Sequence, residues 1–262
     1  MLNHIRQGSG EPLVLIHGIG SQHEIWRPVL ARLACERDVV ALDLPGFGGS
    51  APLAGEVTLA ALADAVQELV MQLGLARPHA AGNSLGGLLA LELARTGRAR
   101  SATGLSPLGF ARGREIAFAR ASLAGSRTLA RALAPVARPL LATGPGRTLL
   151  QSQFFARPWR VGASEADAAT CNLATSPGFY ATLPLLATAF AGDVDVPVTI
   201  AWGARDRLLL ARQGRRARGL MPAATHVVLR GCGHVPTWDD PDAVARVLLA
   251  GSRVLDPCTA DG

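Results

Sequence analysis

The sequence predicts an α/β fold: a mostly parallel central sheet with helices on both faces and an inserted helical cap. Three observations predict it. First, short apolar, β-rich runs near 13–17, 38–43, 78–82, 101–106, 196–202 and 225–230 alternate with helical patterns, as expected when parallel strands are joined by crossover helices. Second, the segments 24–35, 58–73, 84–95, 207–219 and 241–251 repeat apolar residues three and four apart, the spacing of a helix with one buried face. Third, about 85 residues separate the strand ending at SPLG from the strand starting at VPVTI, whereas such connections usually take roughly 2–6 residues. That excess is helical in pattern and interrupted at Pro135, Pro139, Pro145, Pro158 and Pro177. Residues 110–192 are therefore expected to form a cap inserted into a core made of 1–109 and 193–262. A chain of 262 residues with 49% apolar content can bury a single sizeable core.

In chain order, the first strand, PLVLI, runs into HGIGS at 17–21, and the second into DLPGFGGS at 43–50. The proline and glycines around Asp43 imply that its carboxylate braces a turn. His17 is read as shaping its glycine loop. The third strand ends in AAGNSLGG at 80–87, a serine with a glycine two residues away on each side. A serine on a sharp strand-to-helix turn needs small neighbours, and Gly82 and Gly86 meet that need around Ser84. Such a turn lifts the hydroxyl clear of the sheet and aims the N-terminus of the next helix at any anion formed there.

A serine hydroxyl is a weak nucleophile until a base removes its proton, and the base must be oriented by an acid. VPVTIAW runs into GARD and places Asp206 just past a strand end, and THVVLR runs into GCGH and delivers His234 in the same way. Catalytic groups of open α/β sheets gather at the carboxyl ends of strands, so positions far apart in sequence can converge there. Two backbone donors for a developing oxyanion are expected at Leu85, which follows the serine, and at Ile19 in the HGIGS loop. Other candidates read as structural. Asp193 and Asp195 precede their strand and fall at the wrong sheet end, and Asp239 and Asp240 sit before Pro241, where Asp240 is placed to cap a helix. His4, His23 and His79 lack the strand-end context of His234.

HGIGS, DLPGFGGS, GNSLGG, WGARD and GCGHVPTWDDP, in that order over most of the chain, resemble the α/β-hydrolase fold family, whose nucleophile, acid and base follow one another as Ser84, Asp206 and His234 do here. The resemblance implies a serine hydrolase, carboxylesterase-like, working through an acyl-enzyme without metal or organic cofactor. GNSLGG, with Trp238 four residues beyond His234, also resembles the carbon–carbon bond hydrolases that cleave ring-fission dienol acids. In that comparison Arg157 or Arg160 of FFARPWR would bind the substrate carboxylate. Trp238 could instead pack beneath the histidine loop. A cofactor-free perhydrolase or haloperoxidase and an acyltransferase would use the same three residues. A receptor or scaffold on this fold would be expected to lack one of them. The dehalogenases and epoxide hydrolases of the fold carry aspartate where this chain has Ser84.

Composition narrows the field further. All 26 basic residues are arginine, so a Walker A lysine and a pyridoxal Schiff base are excluded. The net charge of +6 comes from arginines scattered through helical stretches, which reads as solvated helix faces and not as a nucleic-acid or membrane surface. Cys35, Cys171, Cys232 and Cys258 lack the spacing of a zinc or thiol-redox site. The N-terminal residues lack a secretory apolar stretch, and no run of eighteen apolar residues occurs. The expectation is a cytoplasmic protein, monomer or homodimer, acting on a small molecule.

Overall fold

The computed structural model describes residues 1–253, so Cys258 lies outside the described residues. Seven strands form one sheet: β1 (His4–Gly8), β2 (Glu11–Ile16), β3 (Arg37–Leu42), β4 (His79–Asn83), β5 (Ser101–Leu105), β6 (Val198–Gly203) and β7 (Thr225–Leu229). Their order across the sheet is β1-β3-β2-β4-β5-β6-β7. All neighbours run parallel except β1, which lies antiparallel on β3 with His4 opposite Leu42 and Gly8 opposite Asp38. This is the mostly parallel sheet that the alternating runs predict. The edge strand β1 was not foreseen, because HIRQG is polar and partly exposed and so carries no apolar period to read.

Both sheet faces are covered, which is why β3, β4, β5 and β6 are buried along their whole length. Alternation along the strands sends Val14, Ile16, Val40 and Leu42 into one apolar core and Leu13, Leu15, Val39 and Ala41 into another. Helices α1 (Arg27–Ala34) and α10 (Pro241–Gly251) close the second core with Val29, Leu33, Val244 and Leu248. Helices α2 (Leu59–Gln72), α3 (Leu85–Arg95) and α9 (Ala211–Leu220) close the first with Leu62, Val66, Leu88, Leu89 and Ala217. The helical pattern over 24–35 resolves into a 3-10 turn at His23–Trp26 followed by α1, with Pro28 in the first turn of α1.

Between β5 and β6 the chain builds α4 (Arg114–Ala132), α5 (Ala134–Leu141), α6 (Gly144–Gln151), α7 (Ala163–Thr175) and α8 (Phe179–Thr182), with short 3-10 turns at Pro158–Arg160 and Leu183–Ala187. Pro135 opens α5 and Pro145 opens α6, positions where proline's missing N–H costs nothing. α4 and α5 both pack on α7.

Candidate active site

The turn after β4 holds Ser84 at φ 58° and ψ −116°, a region that non-glycine residues rarely occupy. The sequence around it makes the conformation attainable. A Cβ on Gly82 would lie 2.2 Å from the backbone of Gly86, and one on Gly86 would lie 2.0 Å from the carbonyl oxygen of Ile16. Only glycines let the turn pack this closely on its own helix and on β2. The strained turn is pinned by Ser84 N donating to Leu105 O at 3.0 Å and by Leu88 N and Leu108 N donating to Ser84 O.

Asp206 and His234 meet at the neighbouring strand ends. His234 Nδ1 donates to Asp206 Oδ2 at 2.8 Å, and both side chains are buried. A carboxylate only accepts here, so the ring proton sits on Nδ1 and Nε2 is left as an acceptor. The second oxygen, Oδ1, accepts from Leu208 N at 2.9 Å and Leu209 N at 2.8 Å. This also explains why α9 starts at Ala211 and not at 207: the aspartate draws the next N–H groups into a turn.

Ser84 and His234 line one cavity together with Gly18, Ile19 and Ser21 of the loop after β2. No direct hydrogen bond joins the Ser84 hydroxyl to the imidazole among the described residues; catalytic contacts of this kind are commonly loose until substrate is in place. The glycine loop abuts the serine, since a Cβ on Gly18 would fall 2.9 Å from Ser84 Cβ. Among the described residues, neither the N–H of Ile19 nor that of Leu85, the first residue of α3, donates to another protein group. His17 fixes the loop's shape. Its Nδ1 donates to Gly18 O at 2.8 Å, and its Nε2 accepts from Leu44 N at 2.9 Å. Complete burial pushes the imidazole down to about 4, so it stays neutral in this role.

Asp43 braces the following turn. Its carboxylate accepts from His23 N, His23 Nδ1, Asn3 Nδ2 and Gly49 N. Burial works against the charge, but these donors hold the carboxyl well below the usual range. Among the described residues, Asp43 with His23 and Glu24 is the one group with three ligand-type atoms close enough to share a cation. With its carboxylate already committed to four donors, Asp43 serves as a structural brace.

Three expected contacts are redirected. Arg157 and Arg160 do not reach the cavity: Arg157 Nη1 at 3.3 Å and Arg160 Nη1 at 3.0 Å both donate to the carbonyl oxygen of Asp239. Trp238 packs against the second apolar core below the histidine loop and does not line the cavity. Both arginines are thereby held by the loop that carries His234. Asp240 caps α10, accepting from Ala243 N at 2.9 Å. Asp193 and Asp195 are exposed, and His79 lies at the opposite end of β4 against Ser101 and Glu11. Cys35 and Cys171 are exposed and Cys232 is buried, all unpaired, and burial pushes the Cys232 thiol up to about 12.

Asn83 and Asn172 carried no expectation from the sequence, and Asp239 only that of a structural aspartate. Asn83 donates from Nδ2 to Leu105 O at 3.0 Å and to His234 O at 2.8 Å. Asp239 is fully buried and accepts from Gly233 N, Ala156 N and Arg157 N. Asn172 of α7 donates to Gly20 O and Ser21 O while accepting from Gly48 N. Asn83 stands within GNSLGG and Asp239 within WDDP, so motif position was the available signal; Asn172 carried none.

Among the described residues, no helix is long and apolar enough to cross a membrane. Similar proteins span several chemistries. An uncharacterised protein of Mycobacterium tuberculosis is 29% identical over 266 residues, covering 95% of this chain and 76% of the relative. An epoxide hydrolase of the same organism is 32% identical over 208 residues, covering 73% of this chain and 93% of the relative. A solved meta-cleavage product hydrolase from Pseudomonas fluorescens superposes with a TM-score of 0.72 at 19% identity, over 95% of this chain and 92% of that one, a likeness of fold. The model of the alpha/beta hydrolase family matches residues 13–247. That span takes in the serine turn, the aspartate after β6 and the histidine after β7, and the chain belongs to the alpha/beta hydrolase family.

Proposed function

We propose that the protein is a serine hydrolase that cleaves a small, uncharged ester through an acyl-enzyme on Ser84. The observation that carries this reading is the buried Asp206–His234 hydrogen bond at 2.8 Å opening onto the cavity that Ser84 lines. In this mechanism His234 Nε2 takes the hydroxyl proton as Ser84 Oγ attacks the ester carbonyl, while Asp206 holds the ring's tautomer and stabilises the imidazolium. The tetrahedral oxyanion lies between the N–H groups of Ile19 and Leu85, with the N-terminus of α3 behind it. His234 returns the proton to the leaving alkoxide and then activates the water that releases the acyl group. Helices α4 to α7 act as the cap that shuts water out of the cavity during the first half-reaction.

Substrate class follows from the walls. Among the described residues lining the cavity, none is arginine, aspartate or glutamate, and Leu123, Leu150, Phe154, Phe155, Leu173 and Val235 are among its apolar walls. The carboxylate of a ring-fission dienol acid would be desolvated there without a counter-charge, a cost of several kcal/mol. An epoxide substrate would call for a carboxylate nucleophile where Ser84 stands. The cavity measures about 70 Å³, and an ester chain-length panel reads which acyl length it holds.

The test is labelling with a fluorophosphonate probe and peptide mapping, followed by an ester chain-length panel that includes a ring-fission dienol acid. Modification at Ser84, abolished in Ser84→Ala, together with turnover of short esters supports the reading. An unlabelled, correctly folded protein overturns it. Adding competing alcohols or hydrogen peroxide to the assay separates hydrolysis from acyl transfer and perhydrolysis by product.

A further inference from the structure

The fold gathers charge that reads as scattered along the sequence. Residues 110–192 hold nine arginines against three acidic residues and the rest of the chain balances, so the whole net charge of +6 belongs to the cap. The cap's acids are also withdrawn. Glu115 is buried and pairs with Arg212 and Arg216 of α9, and Glu165 pairs with Arg27. Across α4, α5 and α6, from 114 to 151, no exposed residue is acidic. Arg114, Arg120, Arg131 and Arg138 are exposed there, and among the described residues none of them pairs with a carboxylate. The exposed threonines of the same stretch turn their hydroxyls back to nearby backbone carbonyls. Every other exposed residue is apolar or small, and Phe118, Leu129, Val136 and Leu149 are 44% to 67% exposed.

Soluble surfaces ordinarily intersperse both signs of charge, and concentrated exposed apolar side chains mark an interaction face. A protein partner would call for roughly one hydrogen bond per 100–200 Å² of contact. The side chains of this face offer only guanidinium N–H groups for that. An anionic bilayer asks for nothing more: arginines at the phosphates and apolar side chains between the headgroups. We propose that the outward face of α4, α5 and α6 docks on an anionic lipid surface. A cationic cap on a neutral core also orients the molecule as it approaches such a surface. Leu129 is exposed and at the same time lines the cavity, so the cavity meets the surface on this face. On the serine hydrolase reading, docking sets that opening against the bilayer, and esters dissolved in the lipid reach Ser84 without crossing water.

Sedimentation of the full-length protein with vesicles tests this. Vesicles of phosphatidylglycerol mixed with phosphatidylcholine should bind at least ~10-fold more tightly than phosphatidylcholine alone, and added salt should weaken the binding. Each basic residue at an anionic surface contributes roughly fivefold, so Arg131→Gln with Arg138→Gln should lower the affinity by about 10- to 30-fold. Phe118→Ser with Leu149→Ser must weaken it as well. These four side chains are exposed and lie outside the catalytic machinery, so turnover of a water-soluble ester should not change in either double variant. Equal binding to both kinds of vesicle overturns the proposal, and so does an affinity unchanged in either double variant. Binding to soluble polyglutamate without binding to vesicles gives the face to an acidic protein and also overturns it. Vesicle binding is read without turnover, so its failure leaves the hydrolase reading standing, and a failed fluorophosphonate label removes only the delivery of ester to Ser84.

Discussion

Asn83 donates from Nδ2 to the carbonyl oxygen of His234 at 2.8 Å, so the residue before Ser84 is tied directly to the backbone of the histidine 151 positions later. The same amide reaches Leu105 O at 3.0 Å, joining three strand ends through one side chain. Replacing Asn83 by Ala leaves the buried His234 carbonyl without its donor, at about 1–3 kcal/mol, removes one of the two donors of Leu105 O, which keeps Ser84 N, and frees the histidine loop to shift against the serine. Misplacements of about 1 Å cost on the order of 100-fold. The expected outcome for Asn83→Ala is a kcat lower by roughly 10- to 100-fold with a smaller change in KM. Asn83→Asp, which sets a carboxylate against two carbonyls, should be worse than Ala; steady-state kinetics on a short ester gives the ranking.

The strained turn at Ser84 predicts a trade between stability and activity. A non-glycine residue in such a conformation costs about 1–3 kcal/mol, and glycine relieves that cost while adding some freedom to the unfolded chain. Ser84→Gly should therefore lose ester turnover and raise Tm by about 2–4 °C. Differential scanning calorimetry decides it, and an unchanged or lower Tm would remove the strain argument.

Asp239 predicts loss of fold before loss of chemistry. Its carboxylate satisfies Gly233 N, Ala156 N and Arg157 N at 2.7 to 2.9 Å, linking the histidine loop to the segment after α6. Asp239→Ala orphans all three buried donors and should cost about 3 kcal/mol or more, a fall in Tm of roughly 6–12 °C. Asp239→Asn keeps one acceptor oxygen and should lose about half as much. Equal melting of wild type and Asp239→Ala would contradict this.

His17 predicts a pH dependence of stability. Burial pushes its folded pKa down to about 4, below the unfolded value near 6.5. The unfolded chain therefore binds more protons between those values, and stability falls as pH drops from about 6.5 towards 4. On this shift alone the loss is on the order of 3 kcal/mol. Protonation would also turn Nε2 into a donor facing the Leu44 N–H. The fall in Tm over that window should be shallower in His17→Gln, a neutral replacement, although that variant starts from a lower Tm at pH 7. Parallel slopes for the two proteins would rule out His17 as the titrating group.

Much of the architecture was legible from local pattern. A parallel strand buried on both faces must be apolar throughout, so the runs around β3 to β6 announced themselves, as did the β-branched residues of the edge strand β7, and turn residues after the strands marked where Ser84, Asp206 and His234 stand. β1 escaped because an edge strand needs no apolar face. The start of α9 was read too early, at 207, because periodicity registers apolar spacing and not the Asp206 carboxylate that claims the N–H groups of Leu208 and Leu209.

By itself the chain determined its fold class, the order of its elements and the strand ends on which polar residues fall, since each of these follows from interactions between near neighbours. Only the tertiary structure decided which cap side chains face the cavity. Arg157 and Arg160 had the charge for a substrate contact, yet they turn to the carbonyl of Asp239, while Gln151, silent in sequence, lines the cavity and Asn172 bonds the backbone of the glycine loop. The physical reason is that helix docking sets the rotation of each cap helix. That rotation depends on how distant surfaces interlock, and an irregular insertion leaves no repeating mark of it along the chain.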